Sequence, residues 1–149
     1  MGIYQQSGQM WYVAILRWFF MALRYLIDKE HRLVVVIGAG RVTAADIKAL
    51  IDQAPHDPDF NADFDEFVDL RAVTGFDISG EEIRTLAGWR IFSPKSRRAF
   101  LATEPHVFGV GRMWEAYTEF SHDTTQIRVF YELAPALAWL GLESLPSSG

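Results

Sequence analysis

The stretch 66–86, EFVDLRAVTGFDISGEEIRTL, constrains the fold more than any other part of this sequence. Its apolar run 67–70 is typical of a short buried strand. A loop ending in Asp-Ile-Ser-Gly follows, and then Ile83, Leu86 and Ala87 recur at the spacing of one helix face. The stretch therefore predicts a strand, a loop and the first turns of an amphipathic helix.

The same alternation runs through the rest of the chain. Apolar or alternating runs predict strands at 23–27, 33–37, 98–102 and 127–131, and helices beginning near Thr43 and Pro105 and at 133–140. Strands that alternate with helices imply a parallel sheet with right-handed crossovers. The polar turn 28–31 joins the first two strands as a hairpin. We therefore predict an α/β fold: a mostly parallel four- to five-stranded sheet, an N-terminal antiparallel hairpin strand at one edge, and about four helices.

The length of 149 residues suggests one domain. We expect this domain to span 21–143, preceded by an apolar extension, 1–20, and followed by a flexible tail, 144–149. The segment 11–27 is apolar, but Arg17 and Arg24 interrupt it, so its runs fall short of the ~18 residues of a spanning helix.

Three interpretations of the extension stay open. In the first, Met21 is the native start and 1–20 is not part of the protein. In the second, the extension is a helix that covers an apolar surface or a second copy of the chain. In the third, the part from Trp11 to Phe20 contacts a membrane surface.

Charge and composition exclude several classes of protein. The net charge is -5, and Lys95, Arg97 and Arg98 form the single small basic cluster, which argues against nucleic-acid binding. The sequence contains no cysteine, so disulfides, thiolate catalysis and cysteine-bound zinc are excluded. The lack of cysteine fits a cytoplasmic protein.

The apparent cofactor motifs are incomplete. Gly38-Ala39-Gly40 follows a β-branched run, but a dinucleotide fingerprint also needs Gly or Ala where the chain has Thr43, and an acidic residue near Pro58. The alternating acidic residues 57–65 lack the Gly and Glu of a calcium loop in either register. The four histidines are scattered and fall in predicted loops or helix starts. We predict no catalytic residue, no metal site and no cofactor.

Ser79 supports two interpretations. It begins Ser79-Gly80-Glu81-Glu82, a capping box in which Ser79 and Glu82 satisfy two free amides at the helix start. It is also a possible phosphoacceptor, because a phosphate gains from a helix N-terminus, although Asp77, Glu81 and Glu82 oppose its charge. Arg71 could offset part of that charge, so Asp77 and Arg71 are the possible switch-loop residues.

Aromatic residues at helical spacing usually belong to the core, but three of them are also candidates for an apolar ligand pocket: Trp89, Phe108 and Trp114. Gly109 and Gly111 lie inside the predicted third helix, where each costs about 1 kcal/mol relative to Ala. We expect them to allow close approach of this helix to the sheet or to a ligand.

Together these motifs resemble the STAS superfamily, the anti-sigma-factor antagonist fold, and within it the SpoIIAA-like (STAS/SEC14) bacterial proteins. The resemblance covers about 21–143 and rests on the order of these segments: Gly40-Arg41-Val42-Thr43, Val68-Asp69-Leu70-Arg71, Asp77-Ile78-Ser79-Gly80, Ser96-Arg97-Arg98-Ala99, 108–113, and Val129-Phe130 followed by 136–140. It implies that Ser79 is the serine that a partner kinase phosphorylates in the antagonists, although Ile78 stands where the family has another serine. The SEC14 relationship implies that the fold can hold an apolar ligand.

Two functional hypotheses follow. The first is a non-enzymatic regulatory or protein-interaction module that associates with itself, as a homodimer, or with another protein. The second is a binder of a small apolar molecule or lipid. A flat exposed apolar patch would favour the first hypothesis, and a deep cavity lined by the aromatic residues would favour the second. Converging histidines and carboxylates with shifted pKa values would instead indicate an enzyme.

Overall fold

A computed structural model describes residues 21–120 and 126–146. Within these residues the chain forms β1 (Leu23–Asp28), β2 (Leu33–Thr43), α1 (Ala44–Gln53), a 3-10 turn (Ala54–His56), β3 (Asp65–Asp77), α2 (Gly80–Ala87), β4 (Arg97–Leu101), α3 (Pro105–Phe120), β5 (Gln126–Phe130) and α4 (Leu133–Leu140). The predicted extension 1–20, His122 and the tail residues 147–149 lie outside the described residues.

The five strands form one sheet in the order β1-β2-β3-β4-β5. β1 pairs with β2 in antiparallel register, and the other three pairs of strands are parallel. The predicted fold class is therefore confirmed, with the hairpin strand at the edge of a parallel sheet. Parallel neighbours require crossover connections, and α1, α2 and α3 supply them.

β2 and β3 are longer than the apolar runs that predicted them. They continue side by side to Thr43 and Asp77, while β4 pairs only with the first part of β3, Glu66 to Asp69. The register between β2 and β3 shifts between Ile37 and Ala39 and again between Gly40 and Arg41, and in both places the extra residue lies on β3. Gly38 and Gly40 therefore do not end β2.

The sheet has an apolar core on each face. The first face packs against α1, α2 and α3, and its buried side chains include Val36, Val68, Phe100, Ile83, Val107 and Trp114. The second face packs against α4, with Leu33, Phe67, Leu101, Ala136 and Leu140 among its buried side chains. Leu145, which the sequence assigned to the flexible tail, is partly buried against this second core.

Serine and threonine caps begin two of the crossover helices, as predicted. The Thr43 side chain accepts a hydrogen bond from the Asp46 amide, and the Ser79 side chain accepts one from the Glu82 amide; each box is completed by the acidic side chain. The amides at a helix start lack partners within the helix, and each capping box satisfies two of them at the start of its helix.

The two glycines of α3 differ in their surroundings. A Cβ on Gly111 would lie 3.1 Å from Cγ1 of Val129 on β5, so this glycine does allow the helix to approach the sheet closely. A Cβ on Gly109 would meet no atom within 4 Å. Close approach to the sheet is therefore confirmed for Gly111 and is not found for Gly109.

Candidate ligand cavity

An apolar cavity of about 90 Å³ lies between the first face of the sheet and the three helices that cover it. Strands β1 to β4 supply its floor, and side chains from α1, α2 and α3 supply its roof. Its aromatic lining consists of Tyr25, Phe76, Phe92, Phe100 and Trp114. A protein core usually leaves few voids of this size.

Of the three aromatic residues predicted to line a pocket, Trp114 lines this cavity and the other two do not. Phe108 stacks on Tyr131, with ring centroids 3.7 Å apart. Trp89 is 40% exposed, and the ammonium group of Lys48 lies 5.4 Å from its ring centroid. The structure therefore separates the three residues, because helical spacing does not tell which part of a helix faces the void.

Trp114 is buried, with 9% of its surface exposed, and its indole N–H has no hydrogen-bond acceptor among the described residues. Two neighbours on α3 fix the part of the helix that carries it. Gly111 lets this part of the helix lie against Val129, and the hydroxyl of Thr118 donates to the Trp114 carbonyl at 2.9 Å. A buried indole N–H usually finds a partner, so this one is exceptional.

The cavity wall also contains a buried ion pair that the sequence analysis did not single out. Nε of Arg98 on β4 donates to Oε1 of Glu66 on β3 at 2.9 Å, and Glu66 is only 4% exposed. The guanidinium of Arg98 lies over the rings of Phe92 and Phe100. The sequence contains a usable signal: Glu66 alternates with Val68 and Leu70, so it occupies an inward position of a buried strand.

At the β1 edge of the cavity, Tyr25 is held by the Asp-rich loop. Its hydroxyl donates to Oδ2 of Asp57 at 3.0 Å. Burial, followed by the hydrogen bond to Asp57 and its charge, raises the pKa of Tyr25 above the ordinary value. In the same loop Phe64 is buried and Phe60 is partly buried against the core, which explains the alternation that resembled a calcium loop.

Ser79 lies on the surface, outside the cavity. It is exposed and caps α2 through the Glu82 amide at 3.1 Å, while its own amide donates to the Glu82 carboxylate at 3.2 Å. It lines a shallow groove between α1 and α2 together with Lys48 and Trp89. The structure thus brings Ser79 and Trp89 to one groove and leaves Trp114 in the interior.

The two predicted switch-loop residues pair with other partners and not with each other. Asp77 forms a two-bond ion pair with Arg41 on β2, one bond being 2.8 Å, and these bonds lower the pKa of Asp77. Arg71 pairs with Asp69, two residues earlier on β3. Burial alone would raise the pKa of Asp69, but the bonds from the Arg71 side chain and amide outweigh it, so the pKa is lowered.

No group of three or more histidine, aspartate or glutamate side chains in the described parts of the chain could hold a metal ion. His31, His56 and His106 are exposed. His31 hydrogen-bonds Asp28, and His56 the Asp52 carbonyl. Among the helices of residues 21–120 and 126–146, none is long and apolar enough to cross a membrane.

A parallel sheet with an antiparallel edge hairpin and helices on both faces defines the SpoIIAA-like fold. A solved structure from Shewanella loihica PV-4, described as an uncharacterized protein from the DUF3478 family with a SpoIIAA-like fold, matches 80% of this chain and 94% of its own, with a TM-score of 0.53 and 13% identity. No family model and no curated protein matches the sequence. The chain thus has the SpoIIAA-like fold that its motifs predicted.

Proposed function

We propose that this protein is a non-enzymatic binding module of the STAS type that holds a small apolar molecule in the cavity beneath α1, α2 and α3. The observation that carries the proposal is the cavity itself, whose lining residues are mostly apolar, with Glu66 and Arg98 as the two charged ones. Ligand sites are typically concave and apolar, with a few polar groups that orient the ligand.

An empty cavity of this kind destabilises the fold. At the usual cost of about 24 cal/mol per Å³, a void of 90 Å³ costs ~2 kcal/mol, which an apolar occupant would recover. For comparison, an apolar cavity of about 150 Å³ in another protein holds benzene. The occupant that fits without rearrangement is therefore small, and a longer molecule requires a helix to move outwards.

Helix α1 is the element best suited to admit a ligand. None of its side chains is fully buried, although Ile47, Leu50 and Ile51 line the cavity. By contrast, α2 and α3 each bury several side chains. Because α1 has the least buried surface of the three helices, moving it outwards disrupts the smallest part of the core.

The test is native mass spectrometry of protein purified from its own host. We expect an extra mass that disappears on denaturation. The variant Ile47→Trp, which places a larger side chain in the cavity, should lose that mass, and Gln53→Trp, at an exposed position of the same helix, should keep it. Protein that carries no extra mass, and whose folding is unaffected by small apolar molecules, would contradict the proposal.

A second candidate function is a regulatory or protein-interaction module that self-associates or binds another protein. The supporting observation is that the exposed hydroxyl of Ser79 opens onto the groove that contains Lys48 and the exposed ring of Trp89. Lys48, which forms an ion pair with Asp52, is the positively charged residue of this groove. The absence of cysteine supports a cytoplasmic location for either function.

This second function has its own readout. Intact mass of the protein from its host should show a fraction carrying one phosphate, which Ser79→Ala removes. Native mass spectrometry of the full chain and of a chain beginning at Met21 should show a dimer that depends on residues 1–20. Unphosphorylated monomer in both cases would count against it.

A further inference from the structure

We infer that the indole N–H of Trp114 is the recognition group of the cavity and that the ligand is a small apolar molecule carrying an uncharged hydrogen-bond acceptor, such as a carbonyl oxygen. The inference rests on the proposed ligand-binding function and specifies the chemistry of the same site.

The first step is the unpartnered donor. Trp114 lines the cavity, is more than nine-tenths buried, and its Nε1 finds no acceptor among the described residues. A donor that is buried without a partner loses its hydrogen bond to water and gains nothing in return. A purely apolar occupant would leave that loss in place, whereas an occupant with an acceptor would remove it.

The second step is the geometry that keeps Trp114 at the cavity. Gly111, one turn earlier on α3, also lines the cavity and lies so close to Val129 that a Cβ would be 3.1 Å from Cγ1. Thr118, one turn later, is buried and bonds back to the Trp114 carbonyl. Gly111 therefore holds α3 close to β5 before Trp114, and the buried Thr118 keeps the same face of the helix inside after it, so the indole cannot easily turn towards solvent.

The third step is the charge of the acceptor. Glu66 and Arg98 are the two charged residues that line the cavity, and they neutralise each other through the bond at 2.9 Å. A ligand carboxylate would place a second negative charge near Glu66 with no new cation to compensate it, and buried charges without partners are strongly disfavoured. A neutral acceptor satisfies the indole without this penalty.

The experiment follows the indole N–H signals of the ¹⁵N-labelled full chain by NMR during titration with three matched probes. These are acetone, a ketone smaller than benzene; isobutene, which has the same shape without an acceptor; and acetate at neutral pH. The Trp114 signal is assigned by its loss in Trp114→Phe, and Trp89→Phe serves as the control for an exposed indole.

We expect acetone to shift the Trp114 N–H signal and to bind roughly tenfold more tightly than isobutene. In Trp114→Phe this preference should disappear while both neutral probes still bind, and in Trp89→Phe it should persist. If Trp114→Phe does not fold, the comparison of the probes on the unaltered protein still decides the matter.

The outcomes separate this inference from the proposed function. Equal binding of the two neutral probes without a shift at Trp114 overturns the inference and leaves the apolar site intact. Tightest binding by the carboxylate overturns the assignment of a neutral acceptor. No binding by any probe overturns both.

Discussion

Glu66 and Arg98 occupy directly paired positions on the parallel strands β3 and β4, and their side chains form an ion pair in the wall of the cavity. The register places both on the face of the sheet that α1, α2 and α3 cover. With side-chain exposures of 5% for Glu66 and 17% for Arg98, the pair is shielded from water on both partners. Removing one partner therefore leaves the other charge buried, which is strongly destabilising.

Removing only the positive partner should strongly destabilise the protein. Arg98→Met keeps an apolar side chain beside Phe92 and Phe100 but leaves the Glu66 carboxylate buried without its partner, so we expect a loss of about 3 kcal/mol at neutral pH. Urea denaturation measures it. The double variant Glu66→Leu, Arg98→Met should recover most of the loss, and equal losses in the single and double variants would show that the charge is not the cause.

The hydroxyl of Ser79 should contribute to stability through its cap. Ser79→Ala removes the acceptor for the Glu82 amide and should cost about 1 kcal/mol. Ser79→Asp retains an acceptor at the helix start and should stay close to the original stability. Thermal or urea unfolding distinguishes the two variants, and an equal loss in both would contradict the capping role.

The glycines of α3 provide a matched pair. Gly109→Ala adds a methyl group where no atom lies within 4 Å, so the better helix propensity of Ala should raise the unfolding free energy by about 0.5–1 kcal/mol. Gly111→Ala should lack this gain or be destabilising, because its methyl group presses on Val129. Urea denaturation of both variants checks the prediction. A similar gain for both would mean that α3 moves freely away from β5.

The stability should fall in acid, partly through Asp69. The pKa of Asp69 is lowered in the folded protein, so its ionised carboxylate stabilises the fold at any pH above the ordinary pKa of an aspartate. This stabilisation is lost as the pH falls below about 4 and through the lowered pKa of Asp69 in the folded protein. Arg71 is 42% exposed, so its share is about 0.5 kcal/mol. Arg71→Gln should lower the urea midpoint at pH 7 and have less effect at pH 2.5. An equal effect at both pH values would exclude the ion pair as its cause.

Local pattern predicted the parts of this structure that depend on neighbouring residues in the chain. The β-branched run at 33–37, the Ser79 capping box and Pro105 at the start of α3 all appear as predicted, because each reflects a local preference of the backbone. The extension of β2 and β3 to Thr43 and Asp77 was not predicted, since the hydrogen bonds between the two strands, and not an apolar run, support it.

The candidate site was predicted only in part. Trp114 was among the predicted pocket residues and lines the cavity, but Trp89 and Phe108 matched it equally well by type and helical position. The pairing of Glu66 with Arg98 depends on the register between strands that are more than thirty residues apart in the sequence, as the separation of 32 shows. No local pattern contains that register.

The sequence by itself therefore determined the order of strands and helices and their caps, because the periodicity of apolar residues and the chemistry of helix ends act over a few residues. The SpoIIAA-like class of fold followed from the resemblance of its ordered motifs to that family. The tertiary structure decided which indole is buried without a partner, which charges neutralise each other, and where the core leaves a void. These features arise from how α1, α2 and α3 pack on the sheet, and packing joins side chains that the chain keeps far apart.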